Sequence, residues 1–194
     1  MNKMIKTLGA SLVLVSIVAC GQKKKETKIT EVKNTQTAVV DSAKIKEEAK
    51  KAAIAEKNAL PKPYHPEENA EAKIAELTAQ AKKENKNIMI QAGGNWCIWC
   101  LRFNNYVQTT PELKKLVDDN YIYYHLNYSP DNKNEKIFAK YGNPGDKYGY
   151  PVFIVLDKDG KQIHTQDSSV LEEGKGYSLD KVKKFFEDWK PKAM

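Results

Sequence analysis

A pair of cysteines three residues apart follows a Gly-Gly break in the stretch QAGGNWCIWCLRF, residues 91–103. The preceding apolar run NIMIQA predicts a buried strand, and Gly93 and Gly94 let the chain turn from that strand into a helix without steric cost. The spacing then places Cys97 at the N-terminus of the helix and Cys100 one turn further along the same face. The sequence therefore predicts a strand-turn-helix unit that carries two adjacent thiols.

These two positions suit thiol chemistry. A cysteine at a helix N-terminus faces unsatisfied backbone N–H groups and the positive end of the helix dipole, and both favour the thiolate. The thiolate is the nucleophile in disulfide exchange, so Cys97 is the candidate attacking sulfur. Cys100 is close enough to attack a mixed disulfide at Cys97 and release the product. The spacing thus pairs an attacking cysteine with a resolving one.

Helical and strand periodicities from residue 69 onward predict one folded domain over residues 69–194. The first predicted elements are a helix over NAEAKIAELTAQAKKENK, the strand NIMIQA, the cysteine helix to about Val107, and a helix over PELKKLVDDN with Thr110 as N-cap. The strand YIYYHLNY follows, then a short helix over NEKIFAKYG that Gly142 closes, and a loop over NPGDKYGYP. The last elements are the strand VFIVLD, the turn KDGK, the strand QIHTQD and an amphipathic helix over SLDKVKKFFEDWK.

This order of elements, with a Cys-x-x-Cys motif opening the helix after the first strand, resembles the thioredoxin superfamily. Three features carry the resemblance: NWCIWC at residues 95–100, the order of the elements, and GYPVFIVLDKDGKQ at residues 149–162. The resemblance covers about residues 70–190. It implies an α/β thioredoxin-like fold with a mixed central sheet flanked by helices, and the activity of a thiol:disulfide oxidoreductase that needs no organic cofactor or metal.

The resemblance also implies roles for three residues near the cysteines. Pro151 occupies the position of the family's cis-proline, which precedes the last hairpin and lies against the cysteine pair. A cis Tyr150-Pro151 bond would leave the backbone carbonyl and N–H of Tyr150 free to pair with the extended backbone of a substrate. By the same analogy Trp96 packs beside Cys97, either as part of the core or as a substrate contact.

The sequence departs from the family pattern at two places. Thioredoxins carry a buried aspartate six residues before the attacking cysteine, and here that position is Gln91, which cannot titrate. The residues between the cysteines are Ile98 and Trp99, so the histidine that contributes oxidising power in oxidising relatives is missing. We therefore expect a reductase of protein disulfides rather than an oxidase.

The N-terminal residues indicate export. Lys3 and Lys6 precede the short apolar run LGASLVLVSIVA, and the tetrad at residues 17–20, Ile-Val-Ala-Cys, resembles a bacterial lipobox. The resemblance implies that a signal peptide, residues 1–19, is removed and that Cys20 becomes the acylated first residue. We therefore expect a lipoprotein of the bacterial cell envelope, anchored to a membrane and facing the periplasm or the cell exterior.

Residues 20–68 are expected to form a lipidated tether between the anchor and the domain. Residues 21–40 are polar and lack periodicity, residues 41–60 predict a solvated helix because most of their apolar side chains are alanines, and PKPYHPEE at residues 61–68 predicts an extended path.

The net charge of +7 is spread over Lys-rich helical stretches that also contain glutamates, without the aromatic interleaving or the motifs of a nucleic-acid-binding protein. The expected partners are therefore disulfide-containing or dithiol proteins and, for a reductase outside the cytosol, a membrane electron donor. Nothing in the sequence indicates more than a monomer.

Three other interpretations of the cysteine pair compete with thiol–disulfide exchange. A structural zinc site needs four ligands, and His65, His125 and His164 are widely separated in the sequence. Leu101 stands where covalent haem attachment needs a histidine. A structural disulfide would close so small a loop that its stabilising effect is slight. The functional alternative is a lipid-anchored binding module of the same fold, with a structural or vestigial Cys97–Cys100 disulfide.

Overall fold

The computed structural model describes residues 33–192. The predicted signal peptide, the predicted acylated Cys20 and the tether up to residue 32 lie outside the described residues. The chain divides into two units, Met1–Lys46 and Glu47–Met194. In the first unit the described residues form the beginning of helix α1, which spans Lys33–Ala59. Among the described residues, no helix is both long enough and apolar enough to cross a membrane.

Helix α1 confirms the helix predicted over residues 41–60, but it begins at Lys33. The helix therefore includes residues 33–40, for which the sequence predicted a tether without a helix. The described side chains of α1 are almost all exposed, including Ile45 and Ile54. Residues 21–40 show no apolar periodicity in the sequence, which is why the sequence did not predict the start of this helix.

The second unit contains the predicted domain. Its helices are α2 (Ala70–Glu84), α3 (Ile98–Thr109), α4 (Pro111–Asn120), α5 (Glu135–Lys140), α6 (Pro144–Tyr148) and α7 (Leu179–Asp188). Its strands are β1 (Asn87–Gly93), β2 (Tyr121–Asn127), β3 (Val152–Leu156), β4 (Gln162–Asp167), β5 (Glu172–Glu173) and β6 (Gly176–Tyr177). The predicted order from residue 70 is confirmed, and the additional elements are α6 and the β5–β6 pair.

The central sheet has the strand order β2-β1-β3-β4. Strand β1 pairs in parallel with β2 and antiparallel with β3, and β4 continues the antiparallel edge. This mixed sheet, with helices on both faces, confirms the predicted fold class. Because β1 and β3 are buried on both faces, they are continuous apolar runs in the sequence.

Alternate residues of β1 point to opposite faces of the sheet and belong to two different cores. Ile88, Ile90 and Ala92 pack in one core with helices α2 and α5, whereas Met89 packs in the other with α3, α4 and α7. The predicted apolar face of α2 is confirmed, because its buried residues are Ala70, Ile74, Leu77 and Ala81. The two cores fix the sheet between the helices, and the cysteine helix begins at the end of β1.

Two local predictions need correction. The stretch NPGDKYGYP is not wholly a loop, because Pro144–Tyr148 forms helix α6 with proline in its first turn, a position where the missing N–H costs nothing. Thr110 is the N-cap of α4, as predicted, but its side chain makes no capping hydrogen bond.

Candidate active site

The predicted turn from strand to helix places the two cysteines together. Strand β1 ends at Gly93, and Cys97 is the N-cap residue of α3, with an extended backbone. Cys97 and Cys100 form a disulfide with their Cα atoms 5.3 Å apart. A side chain on Gly93 would collide with the Sγ atom of Cys100, so the glycine is required by close approach as well as by the turn.

The two sulfurs lie in different environments. Cys100 is fully buried, whereas Cys97 keeps 6% of its surface exposed. The backbone N–H of Cys100 donates a hydrogen bond to the Sγ atom of Cys97 at 3.1 Å. An N–H group and the positive end of the α3 dipole therefore both face Cys97, and both stabilise negative charge on its sulfur.

The segment before β3 lies against the sulfur of Cys97. The Tyr150–Pro151 peptide bond is cis, and the carbonyl oxygen of Tyr150 lies 3.6 Å from Cys97 Sγ. Pro151 is buried, and Tyr150 is partly exposed. The structure thus brings together Trp96, Cys97, Cys100, Tyr150 and Pro151, the set of domain residues that the sequence singled out.

Trp96 lies on the surface beside Cys97 and is 46% exposed. Its indole N–H donates a hydrogen bond to the carbonyl oxygen of Tyr128 at 2.6 Å, and its ring meets that of Tyr150 edge-on at 5.7 Å. Tyr128 in turn stacks on Tyr150 at 5.0 Å. Trp96 is therefore an exposed aromatic side chain held in place by polar and aromatic contacts, and it does not pack in the core.

A cavity of about 320 Å³ continues this aromatic surface away from the disulfide. Tyr128, Phe138 and Tyr150 form its aromatic side, and Lys133, Glu135 and Asp146 contribute charged groups. Burial raises the pKa of Tyr150, so its hydroxyl stays neutral. The cavity gives the surface around Cys97 room for an aromatic or apolar side chain next to polar groups.

Gln91 is buried next to Cys100, and both polar atoms of its side-chain amide make hydrogen bonds. Its Nε2 atom donates to the hydroxyl oxygen of Tyr64 at 2.8 Å and to the backbone carbonyl of Cys100 at 2.9 Å. Its Oε1 atom accepts a hydrogen bond from the Tyr123 hydroxyl at 2.7 Å. Gln91 therefore links two tyrosines to the buried cysteine.

Tyr64 is the residue of this site that the sequence analysis missed. It is 2% exposed and packs in one cluster with Cys97 and Cys100. The amide of Asn95 donates to the Tyr64 carbonyl at 2.8 Å and accepts from the Tyr64 N–H at 3.2 Å. The compact unit thus begins before residue 69, at which the sequence analysis began the domain. The one signal was a lone aromatic residue among prolines.

His125 lies on β2 directly opposite Gln91, and its ring contacts those of Tyr64 and Tyr123 at 5.2 Å and 5.1 Å. Its Nε2 atom is buried and makes no hydrogen bond to the described part of the chain. Burial, together with the charge of His65, lowers the pKa of His125 to about 4. The imidazole is therefore neutral at physiological pH.

The opposite side of the cysteine helix contacts the end of α1. Arg102 forms a two-pronged ion pair with Glu56 at 2.6 Å and 2.7 Å, and its guanidinium lies 5.1 Å from the centre of the Trp99 ring. The hydrogen bond from Arg102 lowers the pKa of Glu56. The hydroxyl of Tyr177 donates to the Trp99 carbonyl at 3.1 Å. Trp99, between the two cysteines, is thus fixed from two sides.

The histidines weighed as metal ligands lie apart. His65 is exposed beside Glu67, His125 is in the buried network, and His164 stacks on Trp189 at 3.9 Å. Within residues 33–192, no group of three or more His, Cys, Asp or Glu side chains is placed to hold a metal ion. The chemistry that the site itself offers is reversible thiol–disulfide exchange at a pair in which Cys97 is slightly exposed and Cys100 is fully buried.

A family described as thioredoxin-like matches residues 69–158 of the chain. Among solved structures, a disulphide isomerase from Xylella fastidiosa Temecula1 is 22% identical, with a TM-score of 0.59; the match covers 67% of this chain and 98% of that one. The oxidised C-terminal domain of DsbD from Neisseria meningitidis is 19% identical with a TM-score of 0.46, and that match covers 63% and 97% of the two chains. No curated protein matches. The isomerase likeness establishes the fold.

Proposed function

We propose that this chain, whose residues 69–158 match a thioredoxin-like family and whose Cys97 and Cys100 form a disulfide, is a membrane-tethered reductase of protein disulfides in the bacterial cell envelope. The observation that carries the proposal is the difference between the two sulfurs. Cys97 lies at a helix N-terminus, keeps 6% of its surface exposed and accepts a hydrogen bond from the Cys100 N–H, whereas Cys100 is fully buried. This difference supports attack on the substrate by Cys97 and resolution by Cys100.

The reaction starts from the dithiol. The Cys97 thiolate attacks one sulfur of a substrate disulfide, a new S–S bond forms, and the other substrate sulfur leaves as a thiolate that takes a proton from water. Cys100 then loses its proton to water and attacks Cys97 Sγ, which releases the second substrate sulfur. Two electrons have passed to the substrate, and the Cys97–Cys100 disulfide remains.

The surface around Cys97 would present the substrate to this sulfur. The Tyr150 carbonyl, 3.6 Å from Cys97 Sγ, is placed to accept a hydrogen bond from the backbone of an extended substrate segment. Pro151 fixes the course of the backbone at this point, and the exposed Trp96 offers an aromatic surface beside the disulfide. Tyr150, Pro151 and Trp96 are therefore proposed as substrate-binding residues.

A reductase needs a source of electrons outside the cytosol, and we assign that role to a membrane-bound dithiol donor. The dithiol of such a donor would reduce the Cys97–Cys100 disulfide by the same exchange in reverse. Attachment of the chain through an acylated Cys20 would keep both partners at one membrane. Incorporation of labelled fatty acid into the wild-type chain, and its loss in Cys20→Ser, is the result expected of this anchor; equal labelling of both would refute it.

The activity is tested by following the reduction of insulin disulfides by the full-length chain with dithiothreitol as electron source. We expect turnover by the wild type, none by Cys97→Ser, and accumulation of a mixed disulfide with the substrate in Cys100→Ser, because attack remains and resolution is lost. A protein that bound its partner equally well with both cysteines replaced by serine, and that never turned over insulin, would be the binding module instead.

The direction of the reaction follows from the reduction potential of the Cys97–Cys100 couple, measured by equilibration with dithiothreitol or glutathione buffers. A value near the roughly −270 mV of thioredoxin supports a reductase, and a value near the roughly −120 mV of strong oxidants reverses the direction.

A further inference from the structure

The buried tyrosine behind the cysteine pair has a hydroxyl hydrogen that its surroundings leave unused. Tyr64 Oη accepts the hydrogen bond from Gln91 Nε2, and Gln91 Oε1 is occupied by the Tyr123 hydroxyl. The second Nε2 hydrogen of Gln91 is donated to the Cys100 carbonyl. Every polar atom of the Gln91 amide is therefore engaged, and the hydrogen bonds run in one direction, from Tyr123 through Gln91 to Tyr64.

The series of hydrogen bonds ends at the Tyr64 hydroxyl. Tyr64 makes no side-chain hydrogen bond as a donor to any part of the chain that the structure describes, although it is 2% exposed. A buried hydroxyl normally finds an acceptor, so this one is available to a group that becomes an acceptor during the reaction. Burial raises the pKa of Tyr64 well above its usual value, so the hydroxyl keeps its hydrogen at physiological pH.

Cys100 is the group next to that hydroxyl. Tyr64 packs in the same cluster as Cys97 and Cys100. A Cβ atom placed on Gly93 would collide with Cys100 Sγ and lie 3.0 Å from Tyr64 Oη, so both atoms border the same point. Because Gly93 has no side chain, nothing from β1 stands between the hydroxyl and the sulfur.

We propose that the Tyr64 hydroxyl donates a hydrogen bond to the Cys100 sulfur when that sulfur becomes a thiolate, and that it thereby promotes release of the substrate. The inference rests on the proposed function, in which Cys100 resolves the mixed disulfide. The side-chain amide of Gln91 cannot titrate, so it cannot act as an acid or base during resolution. The Tyr64 hydroxyl would assist Cys100 instead, by donating a hydrogen bond.

The step balances without an additional reactant. Cys100 loses its proton to water, the resulting thiolate attacks Cys97 Sγ, and the S–S bond between Cys97 and the substrate breaks with its electron pair on the substrate sulfur. Tyr64 transfers no proton. Its hydrogen bond stabilises the negative charge on Cys100, and hydrogen bonds to charged groups are worth more than those between neutral groups.

The other groups of the network are poorly suited to this task. The neutral His125 offers no positive charge to a thiolate, and its Nε2 atom makes no hydrogen bond to the described residues. Tyr123 is already committed as a donor to Gln91. Tyr123 acts instead through Gln91, by holding the amide in the orientation that gives its N–H to Tyr64.

The test uses Tyr64→Phe, which keeps the ring and removes only the hydroxyl, in the full-length chain with Cys20→Ser so that only the pair reacts. A mixed disulfide between Cys97 and a thiol peptide is formed rapidly, and its breakdown by Cys100 is followed as a function of pH. We expect breakdown about tenfold slower at neutral pH, with the pH profile moved to the alkaline side. Formation of the mixed disulfide by Cys97 should keep its wild-type rate.

Two further variants distinguish a local effect from a general loss of structure. Tyr141→Phe removes another buried hydroxyl, one that lies in the core on one face of the sheet and has no hydrogen bond within the described residues; its breakdown rate should equal that of the wild type. Tyr123→Phe should slow breakdown less than Tyr64→Phe does and move the pH profile in the same direction. A larger effect from Tyr123→Phe would overturn the assignment to Tyr64.

A second readout does not depend on activity. In the Cys97→Ser variant, Cys100 is the remaining thiol of the pair, and its ionisation is followed through the ultraviolet absorbance of the thiolate. Tyr64→Phe should move this titration to higher pH, and an unchanged titration would overturn the inference. If wild-type insulin turnover failed while this titration still shifted, the proposed function would fail and the hydrogen bond would stand.

Discussion

The side-chain amide of Asn95 makes two hydrogen bonds to the backbone of Tyr64, one to its carbonyl and one from its N–H. Asn95 lies in the turn between β1 and the cysteine helix, and Tyr64 lies 31 positions earlier in the chain. This contact joins the proline-rich segment before α2 to the turn that carries Cys97. One residue of the turn therefore holds the buried tyrosine, which packs in one cluster with the two cysteines.

Asn95→Ala is expected to lower the free energy of unfolding by about 1–3 kcal/mol, because it leaves the partly buried backbone N–H and carbonyl of Tyr64 without partners. Urea unfolding of the oxidised protein measures the loss. The control is Asn105→Ala, on the partly exposed side of α3, whose side-chain amide makes no hydrogen bond to the described residues. Equal stability of the two variants would show that the Asn95 amide does not hold Tyr64.

Gly93→Ala is expected to destabilise the protein by about 1–3 kcal/mol, since the added methyl group would collide with Cys100 Sγ inside a packed core. The same substitution should also shift the reduction potential of the pair, because the atom it displaces is one of the two sulfurs. Gly176→Ala is the matched control, since a Cβ atom there meets no atom within 4 Å. A Gly93→Ala protein with wild-type stability and potential would contradict the close approach.

The sequence predicted those parts of the fold whose local residue pattern is typical of a single secondary structure. The continuous apolar runs became β1 and β3, and the helical spacing of Ala70, Ile74, Leu77 and Ala81 became the buried face of α2. The position of Cys97 at the start of α3 followed from the Gly-Gly turn. These elements form because of residues that are close together in the sequence, so their patterns are visible in one sequence.

The sequence could not predict the surroundings of Cys100 in the same way. Tyr64, Tyr123 and Gln91 meet through side chains that lie far apart in the sequence, and no local pattern records their contact. The proline-rich segment around Tyr64 has the composition of a linker. Tyr64 is the one large aromatic residue in that segment, and nothing in the sequence marks it as buried. Tertiary packing therefore decided the part of the site that local patterning left open.

Trp96→Ala is expected to lower kcat/KM for a protein disulfide by about tenfold, mainly through KM, because it removes an exposed aromatic surface beside Cys97. The reduction potential of the pair should stay unchanged, because the indole hydrogen bond goes to Tyr128 and not to a sulfur. Trp189→Phe, at the other end of the domain where Trp189 stacks on His164, serves as control and should leave KM unchanged. An equal KM in the Trp96→Ala enzyme would exclude a substrate contact.

The stability of the protein should fall as the pH is lowered from 6.5 to about 4, and His125 should be one cause. Burial lowers the pKa of His125 to about 4 from an ordinary value of 6.5. Between these two pH values, His125 is protonated in the unfolded chain but stays neutral in the folded chain. The free energy of unfolding then decreases by up to about 1.4 kcal/mol per pH unit from this residue, and the decrease ends below the folded pKa.

Carboxylates titrate over the same range, so the contribution of His125 is measured as the difference between wild type and His125→Phe in urea unfolding at pH 6.5 and pH 4. Phenylalanine keeps an aromatic ring between Tyr64 and Tyr123 and has no proton to bind, so the variant should lose less stability on acidification than the wild type does. His65→Asn replaces an exposed histidine and should keep most of the wild-type slope. A constant difference between wild type and His125→Phe across the range would mean that the buried imidazole is protonated without cost.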